Sequence, residues 1–160
     1  MKRDVILMAE DDDAQATLVV KAFERAGPIS PIMVVNDGEE AIEYLSGEGK
    51  YAQREHYPLP GLLLLDLKMP NKDGFQVLEW IREHPDLKRL RVVVLTDSKY
   101  KQDINRAYEL GANSYLVKPG GLRDFVALAE AIKGYWILLS ERPEVKKPPA
   151  DSQHASHSEW

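Results

Sequence analysis

Four short, continuous apolar runs constrain the fold of this chain more than any other feature of its sequence. They are Val5–Ala9, Ile32–Val35, Leu62–Leu65 and Val92–Leu95, and a weaker fifth run covers Ser114–Val117. Because the four runs are apolar at every position rather than at alternate ones, they predict strands with both faces buried. Strands of this kind are typical of a parallel sheet that is covered by helices on both sides.

Segments with the spacing of amphipathic helices lie between these runs. The apolar positions that show it are Phe75, Leu78 and Ile81, then Ile104, Ala107 and Leu110, and then Leu122, Phe125, Val126, Ala129, Ile132, Trp136 and Leu139. Asp12 or Asp13 is placed to cap the first helix, and Gly111 is placed to end the fourth. Strands that alternate with helices predict an α/β fold, a doubly wound (βα)5 sandwich around a five-stranded parallel sheet.

The length and composition of the chain fit one domain that is followed by a tail. Its 160 residues, of which 44% are hydrophobic, suffice for one globular core. We expect this domain at residues 1–139, with an exposed loop over Gly47–Pro60. From Ser140 onwards the chain is rich in Pro, Ser, His and charge, which predicts a flexible tail at 140–160 and no output domain.

Charge and composition exclude several classes of protein. A net charge of −5 argues against a nucleic-acid-binding surface, and the lack of cysteine excludes disulfides, thiol chemistry and cysteine-ligated zinc. No apolar run approaches the roughly 20 residues that span a bilayer, and the N-terminus lacks the pattern of a signal peptide. We therefore expect a cytoplasmic protein with no membrane and no nucleic acid among its partners.

The residues that can carry chemistry follow the ends of the predicted strands. Glu10 and Asp11 follow the first strand and Asp66 follows the third. Thr96 follows the fourth strand and Lys118 follows the fifth. Ligands bind outside the carboxyl ends of the strands in an open parallel sheet, so we expect these side chains at one edge.

Hard oxygen ligands without histidine or cysteine indicate Mg²⁺ at this edge, because close carboxylates repel one another unless a cation neutralises them. Thr96 and Lys118 offer the hydroxyl and the positive charge that a bound phosphate needs. An alternative is that the acidic run is only a solvated helix start. We favour that alternative for Asp12 and Asp13, and the metal site for the three strand-end carboxylates.

The strand-end residues belong to a set of short motifs in a fixed order. They are the acidic pair Glu10-Asp11, Asp66 before Met-Pro and Asp-Gly, Thr96 at a strand end, and Lys118-Pro119. Together they resemble the receiver domain of two-component response regulators, over about Val5 to Leu139, which implies a flavodoxin-like fold. Leu-Leu-Asp-Leu and Val-Val-Val-Leu-Thr look most like the single-domain regulators that partner phytochrome-type histidine kinases.

The resemblance implies a phosphotransfer that is centred on Asp66. This residue would attack the phosphohistidine of a sensor histidine kinase and form an aspartyl phosphate. Mg²⁺ would be held by the same carboxylate, by Glu10 and Asp11, and by the backbone carbonyl of Lys68. The chain would then be a phosphoacceptor rather than an enzyme.

The same resemblance assigns the other site residues and the partners. Thr96 and Lys118 would hold the phosphoryl oxygens, and Tyr115 would turn inward as a switch, although alone it would be interpreted as a packing residue. The output would be a population shift on the face of the fourth helix, fifth strand and fifth helix. Two outputs stay open: binding of a target protein, or relay to a histidine phosphotransfer protein.

A phosphatase of the haloacid dehalogenase type is the main alternative. It also combines a strand-end aspartate, a threonine or serine, and a lysine. Such enzymes place a second aspartate two residues after the nucleophile, and here that position is Lys68, which cannot readily serve as a general acid and base. The receiver interpretation is therefore preferred.

Two further features of the sequence carry expectations. Receiver domains usually have a small residue after the threonine, but this chain has Asp97, whose charge is expected to repel an incoming phosphoryl group. The alternative is that Asp97 caps the following helix together with Ser98.

The apolar segment Tyr135–Leu139 cannot all face inward on one helix, so we expect a homodimer to cover part of it, unless the chain bends back past Trp136.

Overall fold

The predicted fold is confirmed by the computed structural model, which describes residues 5–27, 30–87 and 90–135. The strands are β1 (Val5–Ala9), β2 (Ile32–Val35), β3 (Pro60–Leu65), β4 (Arg91–Thr96) and β5 (Ser114–Val117). The α-helices are α1 (Asp13–Arg25), α2 (Gly38–Ser46), α3 (Gly74–Arg82), α4 (Lys101–Glu109) and α5 (Leu122–Ile132). Short 3₁₀ helices at Gly49–Ala52 and Pro85–Leu87 precede β3 and β4.

The strands form one parallel sheet in the order β2-β1-β3-β4-β5. The chain moves from β1 outward to β2 and then crosses back over β1 to β3. This reversal creates a topological switch point between β1 and β3, which is where ligands bind in sheets of this kind. Ala9 pairs with Leu65, so β1 and β3 end at the same level and the residues that follow them are neighbours. β3 begins at Pro60, two residues before the predicted start, beside an irregularity in its pairing with β1.

Alternate residues of each strand pack into two apolar cores on opposite sides of the sheet. From β1, Leu7 and Ala9 join the core under α2, α3 and α4. Ile6 and Met8 join the core under α1 and α5. Each fully buried aliphatic side chain of this size stabilises the fold by about 1.5–3 kcal/mol, so the two cores fix the strand ends that carry the site.

Helix ends lie close to where the sequence predicts them. Asp12 is the N-cap of α1 and accepts a hydrogen bond from the Gln15 N–H at 3.1 Å, whereas Asp13 is already helical. α4 ends at Glu109, and Gly111 adopts a left-handed φ of 105° just beyond it. Glycine takes this conformation without steric cost, which explains the position of the helix end.

The prediction of an exposed loop over Gly47–Pro60 is wrong for its central part. Tyr51, in the 3₁₀ turn Gly49–Ala52, is only 5% exposed. Its ring centroid lies 4.9 Å from that of Tyr44 and 5.0 Å from that of Tyr57. Although the segment is mostly polar, the rings of Tyr51 and Tyr57 form a cluster with Tyr44 that extends the core.

Arg54 ties this segment to the end of α2. Its Nη1 donates to the carbonyls of Tyr44 and Tyr57 at 2.8 and 3.1 Å. Its Nη2 donates to the carbonyl of Leu45 at 2.9 Å. The last carbonyls of a helix lack the donors that a further turn would supply. The guanidinium group supplies a donor to Leu45 and a second donor to Tyr44, which also accepts from the Gly47 N–H at 3.2 Å.

Residues 136–160 lie outside the described part of the chain. This range includes Trp136, Leu139 and the predicted domain boundary at 139. The tail and the boundary therefore stay predictions. Among the described residues, no helix has the length and apolar character needed to cross a membrane.

We expect Arg54→Ala to lower the free energy of unfolding by about 2 kcal/mol, because three carbonyls lose a charged donor. Denaturant titration measures the difference. Arg54→Lys is the matched control, since it keeps the charge but not the planar fork, and its loss should be intermediate. An Arg54→Ala variant as stable as the parent would show that Arg54 does not hold the segment in place.

Candidate functional site

The predicted strand-end residues meet at the carboxyl edge of the sheet, around the β1/β3 switch point. Glu10, Asp66 and Thr96 are 4%, 7% and 1% exposed, whereas Asp11 is exposed. Lys118 reaches the same place from the end of β5, and its side chain is 4% exposed. Charged groups with so little access to water must find partners within the protein.

Lys118 supplies the positive charge of the site. Its Nζ donates to Glu10 Oε1 at 2.7 Å and to Asp66 Oδ2 at 2.9 Å. Burial alone would lower the pKa of Lys118, but the hydrogen bonds and charges of the two carboxylates outweigh it and raise this pKa. Burial raises the pKa of Glu10 above the ordinary 4.5, and the charge of Asp66 adds to the rise while the Lys118 hydrogen bond opposes it.

The carboxylates form a cluster that fits a divalent cation. Glu10, Asp11 and Asp66 each offer an oxygen, and these atoms all lie within 4.8 Å of one another. Three carboxylates carry −3 and the single ammonium carries +1, which leaves −2 for a bound cation to neutralise. Oxygen donors of this kind are the ligands that hard divalent ions prefer.

Backbone groups orient the two buried carboxylates. The N–H of Asp12 donates to Glu10 Oε2 at 3.2 Å, and the N–H of Lys68 lies 3.4 Å from Asp66 Oδ1. The carbonyl of Lys68 accepts no hydrogen bond from any residue that the structure describes. It is therefore available as a further oxygen ligand.

Thr96 carries a buried hydroxyl at the end of β4. Within the described residues its Oγ1 has no hydrogen-bond partner. A buried polar atom that stays unpaired costs free energy, and a ligand that pairs with it recovers that cost. The carbonyl of Thr96 accepts from the Lys118 N–H at 2.8 Å, which holds the ends of β4 and β5 together.

The Asp73-Gly74 pair brings α3 close to the site, a role that the sequence alone indicates only as a turn. Asp73 caps α3 in a reciprocal capping box with Gln76. A Cβ on Gly74 would collide with the carbonyl of Asp66 and lie 2.8 Å from the Cα of Leu67. Only glycine lets the helix begin this close to the end of β3.

Comparison with known proteins decides the family. Residues 6–130 match the model of the response regulator receiver domain. The chain belongs to this family. Response regulator Rcp1 of Synechocystis is 39% identical over 133 residues, which are 83% of this chain and 88% of Rcp1. The probable methanogenesis regulatory protein FilR2 of Methanothrix harundinacea is 39% identical over 142 residues, 87% of either chain.

Solved structures agree with this assignment. The phosphorylated cyanobacterial phytochrome response regulator RcpA superposes with a TM-score of 0.82 at 35% identity, covering 89% of this chain and 100% of RcpA. The Mn²⁺-bound form of Rcp1 gives a TM-score of 0.78 at 38% identity, covering 88% of this chain and 99% of Rcp1. The chain is therefore a response regulator, a phosphoacceptor in two-component signalling with a histidine kinase as its partner. The haloacid dehalogenase alternative is not supported.

The tyrosine of this receiver that was predicted to be a switch faces inward. Tyr115 packs against the core, and its hydroxyl donates to the carbonyl of Ser98 at 2.9 Å. Its backbone N–H donates to the hydroxyl of Tyr108 at 3.0 Å. Burial raises the pKa of Tyr115, and the Ser98 hydrogen bond opposes the rise. The first bond links β5 to the loop after Thr96 and the second links it to α4, while the role as a switch stays a prediction.

The alternative that Asp97 caps the following helix is wrong. α4 begins after Tyr100, which is its N-cap and has no side-chain capping bond. Ser98 fills part of that role instead, because its Oγ accepts from the Tyr100 N–H at 3.3 Å and donates to Asp103 Oδ2 at 2.6 Å. Asp97 is exposed beside the receiver site, directly after Thr96.

We expect Lys118→Met, in the absence of divalent cations, to lower the free energy of unfolding by about 3 kcal/mol at neutral pH. The reason is that two buried carboxylates lose their counter-charge. Folding raises the pKa of Glu10, so Glu10 takes up a proton more readily in the folded state and its protonation stabilises the fold. Protonation also removes one of the two buried negative charges that the variant leaves without a counter-charge. The deficit should therefore shrink as the pH falls toward about 5.

Denaturant titration of the parent and the Lys118→Met variant at both pH values measures this deficit. A deficit of the same size at both would contradict the electrostatic cause and indicate lost packing instead.

Proposed function

We propose that Asp66 is the phosphoacceptor of this receiver and that its phosphorylation needs Mg²⁺. One observation carries the proposal. The buried Asp66 carboxylate lies 2.9 Å from the Lys118 ammonium and forms a cluster with the carboxylates of Glu10 and Asp11, and the unpaired Thr96 hydroxyl lies at the end of the neighbouring strand β4. This set of groups suits a phosphoryl group and a divalent cation better than any other ligand.

The chemical step places the new bond on Asp66. A carboxylate oxygen forms a bond to phosphorus as the bond from phosphorus to the kinase histidine nitrogen breaks, and the imidazole leaves with the electron pair. Lys118, already 2.9 Å from Asp66 Oδ2, is placed to pair with a phosphoryl oxygen, and the Thr96 hydroxyl is placed to donate to another. Lys118 and Thr96 would both stabilise the negative charge of the phosphoryl oxygens, which is present before and during the transfer.

The cation would be held by the carboxylates of Glu10, Asp11 and Asp66 together with the Lys68 carbonyl. When bound, Mg²⁺ would neutralise the negative charge of these ligands and of the phosphoryl oxygens. Mg²⁺ would suit the site because the donors are all hard oxygen atoms and because proteins usually hold Mg²⁺ by carboxylates together with phosphate oxygens.

The partners follow from the likeness to named relatives. RcpA is described as a phytochrome response regulator, which supports a phytochrome-type histidine kinase as the donor. The output, by target binding or by relay to a histidine phosphotransfer protein, would use the face of α4, β5 and α5, where Tyr108 of α4 is 48% exposed. A homodimer on this face and a cytoplasmic location stay predictions.

We expect Asp66→Asn to abolish labelling by acetyl phosphate or by a cognate kinase, because the amide keeps the shape but cannot form the acyl phosphate. Incorporation of labelled phosphate measures this, with circular dichroism to show that the fold persists. Asp86→Asn is the matched control, because it removes an exposed carboxylate from the 3₁₀ helix that precedes β4, away from the carboxyl edge of the sheet, and it should label like the parent. Stoichiometric labelling of the Asp66→Asn variant would contradict the assignment.

Labelling of the parent should also stop in excess chelator and return with Mg²⁺. Equal labelling in chelator would remove the metal role from Glu10 and Asp11.

We expect Asp97→Ala to raise the fraction that limiting acetyl phosphate labels. At ~6 Å and an effective dielectric constant of ~40, Coulomb's law gives about 1.4 kcal/mol of repulsion, or about tenfold in the equilibrium. The gain should shrink at high salt, because the exposed charge is then screened. The labelled fractions of both proteins at two ionic strengths test this. No gain at low salt would show that Asp97 does not act on the phosphoryl group.

A further inference from the structure

The loop between β3 and α3 contains a residue in an unusual conformation. Asn71 is the only non-glycine among the described residues with a positive φ, at 67°. Most side chains avoid this left-handed region, but asparagine tolerates it. The Nδ2 of Asn71 donates a 2.6 Å hydrogen bond to Oδ2 of Asp37, 34 positions earlier in the chain. We call this bond the loop clamp.

Asp37 serves two elements with one carboxylate. Its Oδ1 accepts from the Glu40 N–H at 2.7 Å and so caps α2, while its Oδ2 holds the loop. The backbones are close as well, because a Cβ on Gly38 would collide with the carbonyl of Lys72. The loop after β3 is therefore docked on the start of α2.

The loop clamp restrains a stretch that has few other bonds. Within the described part of the chain, loop positions 68–72 make one backbone hydrogen bond, from the Lys68 N–H to Asp66 Oδ1 at 3.4 Å. The next bonded backbone group after them is the N–H of Asp73, which donates to the Gln76 side chain at 2.9 Å. Without the clamp, the Lys68 carbonyl would be free to move with the rest of the loop.

We propose that Asn71 and Asp37 are positioning residues for the divalent cation, because the loop clamp restrains the loop that carries the Lys68 carbonyl, two residues after Asp66. The inference rests on the proposed function, in which that carbonyl is a cation ligand. Groups that orient metal ligands from outside the coordination sphere change metal affinity when they are removed. For one exposed hydrogen bond the expected change is about threefold to tenfold.

Asn71→Gly removes the clamp without straining the backbone, since glycine adopts a positive φ readily. We expect its affinity for Mn²⁺, measured by calorimetry, to fall about threefold to tenfold. The unfolding temperature without metal should change little. A purely structural role would lower the unfolding temperature and leave the Mn²⁺ affinity as in the parent.

Asp37→Asn tests the other half of the clamp. The new amide can still accept from the Glu40 N–H and cap α2, but its NH₂ group can meet Asn71 only if the Asn71 amide turns over, so a bond to a charged acceptor becomes a weaker neutral one. Adding Asn71→Asp to this variant reverses the direction of the clamp, so that the amide donates to the carboxylate. We expect the double variant to regain most of the lost Mn²⁺ affinity. At about 0.5 M salt the Debye length is only about 4 Å, so the relocated charge itself matters little.

Parent-like Mn²⁺ affinity in both Asn71→Gly and Asp37→Asn would overturn the inference, and so would a double variant that binds as weakly as Asp37→Asn. Failure of the proposed function has a different signature. The parent would then bind Mn²⁺ and respond to loss of the clamp, but it would take no label from acetyl phosphate.

Discussion

A buried ammonium that is shared by two buried carboxylates is the interaction on which this site depends. The Nζ of Lys118 lies 2.7 Å from Glu10 Oε1 and 2.9 Å from Asp66 Oδ2. These three residues follow β5, β1 and β3, which are not consecutive strands in the chain. Removing charges from water is costly, and such a pair stabilises a fold only when its geometry is good. The two apolar cores supply that geometry, because they fix the ends of β1, β3 and β5. The excess negative charge that remains favours the binding of a cation.

The sequence predicted the fold well because the strands are apolar at every position, a pattern that needs helices on both faces of a sheet. The order of the strand-end residues then indicated which edge carries the chemistry. The segment Gly47–Pro60 was predicted wrongly, since its polar composition does not reveal that Tyr51 packs on Tyr44 and Tyr57. Arg54 likewise binds the carbonyls at the end of α2, about ten residues earlier in the chain. Neither local propensity nor periodicity predicts contacts of this kind.

The site was predicted residue by residue, but the contacts that support it were not. Asn71 and Asp37 are 34 positions apart, and nothing in either local pattern indicates that they meet. The Asp73-Gly74 pair indicates a turn, yet the need for glycine comes from the nearby carbonyl of Asp66. Local motifs thus identify groups that act on a ligand, whereas the packing of loops against one another is visible only in three dimensions.

We propose that a cation and a phosphoryl group bind together at the carboxyl edge of the sheet, beside the β1/β3 switch point. A crystal structure of the protein with Mg²⁺ and beryllium trifluoride, a stable mimic of the phosphoryl group, tests it most directly. We predict the mimic on Asp66, with the Thr96 hydroxyl and the Lys118 ammonium bonded to its fluorines, and Mg²⁺ on Glu10 and Asp11. A mimic attached to another carboxylate, or Mg²⁺ held away from these residues, would contradict the account.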